Sequence, residues 1–207
     1  MNRQSLVKIG AILYLLLFLY LAFDPHDRAV WAVENIPVVV VFGYLVLTYK
    51  KFAFSFGSYV MMSIWLVLHT IGGHFTFANV PFDFINHLFG FERNNFDRFA
   101  HFSVGFFAYP IVEYVLRKRL TNSYRFAMHV GFSTIMAVAA LYEINEWAVA
   151  VLSGGSDVGL EYLGVQGDVW DAQKDMCCDG MGALTALLIY SFVRPDKNYA
   201  NELTKDS

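Results

Sequence analysis

The sequence predicts an all-α protein, a polytopic transmembrane bundle of about six helices whose N and C termini are both cytoplasmic. Hydrophobic residues make up 57% of the chain and charged residues only 16%, against about 45–50% and about 25% in soluble globular domains. The mean hydropathy is +0.43. So little polar surface could not cover a water-exposed globule, which argues against an ordinary soluble enzyme. The net charge of −3 also gives no basic footprint for nucleic acid, so no nucleic-acid partner is expected.

Each predicted span is an apolar run that approaches or exceeds the roughly 20 residues needed to cross the hydrocarbon as a helix. The runs are residues 6–23, 36–49 (extendable back to 30), 57–75, 100–116, 124–152 and 178–193. The first run follows Arg3 and Lys8, as in a signal peptide, but it lacks a small-residue cleavage site at its end. We therefore interpret it as a retained helix. Residues 1–207 are predicted to form a single integral membrane domain, with 194–207 as a short polar cytoplasmic tail.

The distribution of charge predicts the orientation of the bundle. With the N terminus inside, most of the 15 Lys and Arg residues fall in cytoplasmic segments, as the positive-inside rule requires. Glu113 and Arg117 lie on that side and are spaced to form an i, i+4 pair. Most of the 18 Asp and Glu residues fall outside. Because acidic residues contribute little to topology, this excess of acid needs another explanation.

The outer acids and histidines are concentrated at the ends of four predicted helices. They are His69 and His74, Asp97 and His101, Glu143 and Glu146, and Asp168, Asp171, Asp175 and Asp179. Helical spacing places Asp97 with His101, and Glu143 with Glu146, on shared faces. Carboxylates gathered at one depth cannot all be ionised in a low dielectric without compensation. A bound cation is the simplest compensation.

The residue types predict a divalent metal site with imidazole and carboxylate ligands, which suit Zn, Mn, Fe or Mg. The predicted ligands are His74, Asp97, His101, Asp175 and Asp179. Glu143 and Glu146 are the predicted catalytic carboxylates, one of them acting as a general base. Arg98 and Lys174 are predicted either to hold an anionic head group or to pair with the neighbouring acids.

Each of these groups also has a purely structural interpretation. Asp97 could cap the N terminus of a helix, and Asp175 and Asp179 could be first-turn acids favoured by the helix dipole. His74 and His101 could simply form hydrogen bonds at the membrane interface. Glu143 and Glu146 could both be hydrated where the fifth helix leaves the hydrocarbon. Convergence of the side chains around one centre would separate the metal site from these alternatives.

Four segments carry a family resemblance: "HTIGGHFTFANVPF", "DRFAHFSVGF", "YEINEW" and "GDVWDAQKDMCCDGMGA". As a set they resemble the YjdF-like family of uncharacterised bacterial inner-membrane proteins, which implies a multi-pass inner-membrane protein and assigns no reaction. A more limited resemblance is to VanZ-like membrane proteins, which implies a role in the cell envelope. The matching positions there are Asp97, His101 and Phe102, and, more loosely, Glu143, Glu146, Asp175, Asp179 and Gly182.

These observations favour a metal-dependent, membrane-embedded enzyme, a hydrolase or transferase, that acts on a lipid or lipid-linked envelope substrate at the periplasmic face. Membrane lipids are the expected partners, and the sequence names no protein partner. One alternative is a cation- or proton-coupled transporter, which would need a polar path across the midplane. The other is a non-catalytic assembly or stress protein, whose acids would pair with Lys174, Arg98 or backbone and would surround no cavity.

Overall fold

A computed structural model describes residues 3–152, 154 and 166–197 of the chain, and all regular secondary structure in these residues is helical. The helices are α1 (Arg3–Leu21), α2 (Arg28–Thr48), α3 (Phe56–Phe75), α4 (Asp83–Phe89), α5 (Phe96–Val104), α6 (Ala108–Arg117), α7 (Tyr124–Leu152) and α8 (Asp171–Val193). A 3-10 turn, Gly105–Phe107, joins α5 to α6. The predicted all-α class is therefore confirmed.

Six helical segments are long and apolar enough to cross a membrane, as the sequence predicts. They are α1, α2, α3, the continuous α5–α6 segment, α7, and α8 with the turn that follows it. The last helix begins at Asp171, seven residues before the predicted start, because its acids lower the local hydropathy without breaking the helix. The short α4 helix was not predicted from the sequence.

Two apolar clusters hold the bundle together. The larger joins α6, α7 and α8 around Tyr109, Val112, Ile135 and Tyr190. The smaller joins α1, α2 and α3 around Tyr14, Val38, Trp65 and Leu66. Large apolar side chains also cover the outer surface of the helices, which would be an aggregation hazard in water and is the expected surface toward lipid.

The α5–α6 segment and α8 cross with their backbones in direct contact. A Cβ atom added at Gly182 would lie 1.9 Å from the carbonyl oxygen of Phe102, and one added at Gly105 would lie 2.3 Å from the nitrogen of Ala183. Small residues permit such close approach of helices in membranes. This crossing places the acidic first half of α8 beside α5.

The structure has two chemically different ends. The starts of α2, α5 and α8 and the ends of α3 and α7 form the end that is predicted to face the periplasm, called the acidic end below. The opposite end, called the basic end, contains Glu113, whose predicted pairing with Arg117 is confirmed by a contact of 2.5 Å. Of the predicted tail, residues 195–197 form a helical turn, and Asp196 accepts hydrogen bonds from Arg194 and Tyr190. Residues 198–207 lie outside the described residues.

Candidate functional site

Three of the predicted metal ligands converge at the acidic end. Asp97 and His101 come from α5 and Asp175 comes from α8, and one ligand atom of each lies within 4.8 Å of the others. His101 and Asp175 are buried, with 6% and 3% of their surface exposed. We call these three residues, together with Asp179 and Glu143, the acid–imidazole cluster.

His101 is at the centre of the acid–imidazole cluster. Its Nδ1 lies 3.0 Å from an oxygen of Asp179, while its Nε2 lies 3.6 Å from Asp97 and 3.9 Å from Glu143. A ring that donates its Nδ1 proton to Asp179 presents the lone pair of Nε2 to the other carboxylates. Metal-binding histidines commonly have this arrangement, in which one carboxylate orients the ring and the second nitrogen binds the ion.

Three carboxylate oxygens in the cluster are buried and have no hydrogen-bond partner among the residues that the structure describes: Glu143 Oε1, Asp175 Oδ1 and Asp179 Oδ1. Arg98 Nε is 3.7 Å from Asp175 Oδ1, which is too far for a hydrogen bond. Buried polar atoms in native proteins are nearly always hydrogen-bonded. The cluster therefore has unsatisfied acceptors where several negative charges meet, which is the environment that a cation would stabilise.

The two predicted head-group residues pair with acids instead of lying free at the surface. Arg98 lies 2.6 Å from Asp168 and 3.3 Å from Asp171, and Lys174 lies 2.6 Å from Asp168. Arg93, which sequence analysis did not select, also pairs with Asp171. These five residues form an ion-pair layer over the cluster. The hydrogen bond from Lys174 is the largest of several effects that hold the pKa of Asp168 well below its ordinary value.

His74 is the predicted ligand that the structure does not group with the others. Its Nδ1 donates a hydrogen bond of 2.7 Å to the carbonyl oxygen of Leu21, and its ring packs against Phe75. The structural interpretation of Asp97 as a helix cap is wrong, because Asn95 occupies the N-cap position of α5. Asp97 lies inside the first turn, in contact with His101.

A cavity of about 270 Å³ lies between α2, α3, α5–α6 and α7 and reaches the cluster. Its lining is polar toward the acidic end and apolar toward the middle of the bundle. The ionisable lining residues are Glu34, His69, Asp97, His101, Tyr142, Glu146 and Asp179. Deeper apolar ones are Val41, Val104, Phe107, Ile111, Ile135 and Val138. Asp97 and Ile111 lie about 20 Å apart along the helical segment, so the cavity extends far into the bilayer.

Sequence analysis selected neither Glu34 nor Tyr142, which form a second polar group with His69 in the wall of the cavity. Glu34, buried in α2, accepts a hydrogen bond of 2.9 Å from the hydroxyl of Tyr142, and His69 lies 3.3 Å from the same carboxylate oxygen. The ring of Tyr142 is 5.9 Å from the ring of His101, so this group adjoins the cluster. Glu34 could have been noticed in the sequence, because it is an ionisable residue inside the second apolar run when that run is extended back to residue 30. Ionisable residues are rare in membrane spans.

Comparison with known proteins supports the membrane assignment and names no reaction. The family model described as "Predicted membrane protein (DUF2238)" matches residues 6–196. Inner membrane protein YjdF of Escherichia coli (strain K12) is 29% identical over 189 residues, which cover 90% of this chain and 89% of that protein. No solved structure matches the chain.

Proposed function

This chain belongs to the DUF2238 family of predicted membrane proteins, and we propose that it is a metal-dependent enzyme embedded in the bacterial inner membrane. It would be a hydrolase or a transferase that acts on a lipid or lipid-linked envelope substrate at the periplasmic face. The inner-membrane location is carried over from the relative's name. The single observation that supports the activity is the group of unbonded, buried carboxylate oxygens around His101, at the polar end of the cavity.

The proposed cation is divalent and would be held by Nε2 of His101 and by carboxylate oxygens of Asp97 and Asp175. Mixed nitrogen and oxygen ligands suit Zn, Mn or Fe, and a site richer in oxygen suits Mg. Asp179 would hold the His101 ring through its Nδ1 proton, 3.0 Å away. Glu143, whose Oε1 lies 3.9 Å from Nε2 of His101, would complete the ligand set or stay as a nearby base.

A bound cation would activate water or polarise a phosphoryl or acyl oxygen of the substrate. Glu146 lies in the wall of the cavity beside this cluster, so we assign it the role of general base. In that role its carboxylate takes a proton from the attacking water or hydroxyl group, which then bonds to the phosphoryl or acyl centre while the leaving group departs. The apolar depth of the cavity would hold the hydrocarbon part of the substrate.

The same geometry argues against the two alternatives. A cation or proton route would need polar groups across the midplane. Val41, Phe107 and Ile111 line the deeper cavity, and the hydroxyl of Thr134 there is engaged by the carbonyl oxygen of Val130. A purely structural cluster would leave its acids paired. The ion-pair layer fits that description, whereas Asp175 and Asp179 keep unbonded oxygens.

Metal titration of the purified protein tests the proposal. Protein stripped with chelator is titrated with Zn, Mn, Fe(II) or Mg, while bound metal and thermal unfolding are measured. We expect about one tightly bound ion per chain in the wild type and loss of binding in Asp175→Asn and in His101→Ala. The matched control is Asp27→Asn, the N-cap of α2 at the same end of the bundle, because Asn also caps helices well.

Two results would contradict the proposal. One is the absence of saturable binding by all four metals. The other is equal binding by the wild type, Asp175→Asn and His101→Ala, which would place the ion elsewhere. Glu146→Gln adds a second criterion, because it should retain the ion and lose turnover when lipid extracts are incubated with the protein and the products are measured by mass spectrometry.

A further inference from the structure

The cavity is bounded by two helices that make little direct contact with each other. α2 packs against α3, while α7 packs against α6 and α8. Both nevertheless line the cavity, α2 through residues such as Pro37 and Val41, and α7 through Thr134 and Val138. Among the described residues, the α2–α7 side of the cavity is therefore not closed by tight helix packing.

Val138 shows where the cavity reaches the surface of the bundle. It lines the cavity, yet 47% of its surface is exposed. It lies near the middle of α7, a helix long and apolar enough to span the membrane. Leu141 and Ile144, which are exposed nearby on α7, are also apolar. An opening at this position would face hydrocarbon, not water.

The cavity has the size and polarity of a site for one hydrocarbon chain. Its volume of about 270 Å³ is slightly below the range of about 300–1,000 Å³ that is typical of ligand pockets. A cavity of this size is too small for a whole two-chain lipid. Its ionisable residues are gathered at the end nearest the acid–imidazole cluster, and the hydroxyl of Thr134, deeper in the lining, donates to the carbonyl oxygen of Val130. An amphiphile would therefore bind with its chain in the apolar depth and its head group at the cluster.

We propose that this cavity binds one hydrocarbon chain of a membrane lipid, which enters sideways from the bilayer between α2 and α7. This inference rests on the proposed function, because it identifies the route by which a lipid substrate reaches the cluster. Tyr142 and Glu34 are positioned as a latch, since their 2.9 Å hydrogen bond joins α7 to α2 at the acidic end. A head group that moves inward between the two helices must pass this bond.

Photo-crosslinking in nanodiscs tests the route. The nanodiscs contain phosphatidylethanolamine, phosphatidylglycerol and a phospholipid with a diazirine on one acyl chain, and adducts are mapped by mass spectrometry. Ile135 lines the cavity and is only 2% exposed, so bilayer lipid outside the bundle cannot reach it. We expect adducts at Ile135 in the wild type and loss of most of them in Val138→Trp, whose indole would fill the opening.

Leu141→Trp is the matched control, because Leu141 is exposed on the same helix and is absent from the cavity lining. It should leave labelling of Ile135 unchanged, while Tyr142→Phe, which removes the latch, should increase it. Adducts confined to exposed residues such as Leu141 and Ile144 in the wild type would overturn the proposal. Undiminished labelling of Ile135 in a folded Val138→Trp protein would do the same.

The proposed function and this inference can fail separately. Asp175→Asn should lose the metal and keep the adducts at Ile135, because Asp175 is a proposed ligand that does not line the cavity. Metal binding without adducts at Ile135 would remove only the lipid route. Adducts without metal binding would remove the metal-dependent reaction and leave a lipid-binding protein. If Val138→Trp does not elute as a single folded species, the labelling of Ile135 in the wild type decides the question.

Discussion

Two buried carboxylate sites lie at opposite ends of this bundle, and they differ in how well their oxygens are satisfied. Glu113 at the basic end is fully buried and accepts hydrogen bonds from the backbone and hydroxyl of Ser55, from the hydroxyl of Ser58 and from Arg117. In the acid–imidazole cluster, His101, Asp175 and Asp179 are also buried, but Asp175 and Asp179 each keep an oxygen without a hydrogen-bond partner in the described part of the chain.

This difference indicates that the Glu113 network has a structural role, whereas the acid–imidazole cluster lacks a bound partner for its carboxylates. The donors to Glu113 come from the start of α3 and the end of α6, so the carboxylate joins two helices with its acceptors satisfied. Fully satisfied polar networks in a low dielectric are rigid, whereas partly satisfied ones cost free energy. A cluster kept at such a cost is a candidate for function, and the missing partner is expected to be positively charged.

Removing the fully hydrogen-bonded carboxylate of Glu113 should have the largest effect on the free energy of unfolding. Glu113→Ala leaves the Arg117 guanidinium in a buried position without its carboxylate, and breaking a buried pair in this way costs about 3–5 kcal/mol. The free energy of unfolding in detergent, measured by denaturant titration, should fall by that amount. Glu113→Gln, which keeps an acceptor oxygen, should lose less. If Glu113→Ala is as stable as the wild type, the hydrogen-bond network at the basic end does not stabilise the fold.

The cluster should respond in the opposite way, because its stability is expected to depend on the cation. Saturation of the wild type at about 100 times the dissociation constant should stabilise it by about 2.7 kcal/mol. Asp175→Asn should show no such gain, and in chelator it should be at least as stable as the wild type because one like charge has been removed. Thermal unfolding with and without metal measures both values. A strongly destabilised Asp175→Asn protein in chelator would contradict the contrast with Glu113.

A substitution at the close crossing of α5 and α8 should disturb the cluster more than a substitution at a glycine that faces open space. In Gly182→Ala the added Cβ would lie 1.9 Å from the carbonyl oxygen of Phe102, so the helices must separate. Overpacking of this kind costs about 1–3 kcal/mol, and it also moves His101 away from Asp175. We expect weaker metal binding together with lower thermal stability. Gly43→Ala is the control, since nothing lies within 4 Å of its added Cβ.

The sequence was sufficient for the features that depend on local pattern. The six spans follow from apolar runs, and the pairing of Asp97 with His101 follows from helical spacing. Glu34 and Tyr142 were not predicted as a pair, because their hydrogen bond joins residues 108 positions apart and no local periodicity encodes it. His74 was expected in the cluster because it ends the same helix that carries His69, but its ring turns to the carbonyl of Leu21.

The ion-pair layer should show the smallest effect, and its pH dependence has a defined sign. The pKa of Asp168 is lowered in the folded protein, so its contribution is present above the unfolded pKa and is lost as the pH falls through the lower folded value. Lys174→Met removes the main cause of the lowered pKa of Asp168. In this variant the loss of stability on acidification should therefore begin at a higher pH. The overall change in thermal stability near neutral pH should be slight, because exposed ion pairs contribute little.

Acid titration of thermal stability, or of the Asp168 carboxyl by NMR, measures this shift. Lys50→Met removes the same charge from an exposed position at the basic end and should leave the fall in thermal stability at low pH unchanged. An equal shift in both variants would mean that net charge, and not the contact with Asp168, sets the response. If only Lys174→Met shifts this fall in stability and metal binding survives, the layer covers the cluster without holding it together, and the contrast with Glu113 is confined to the buried groups.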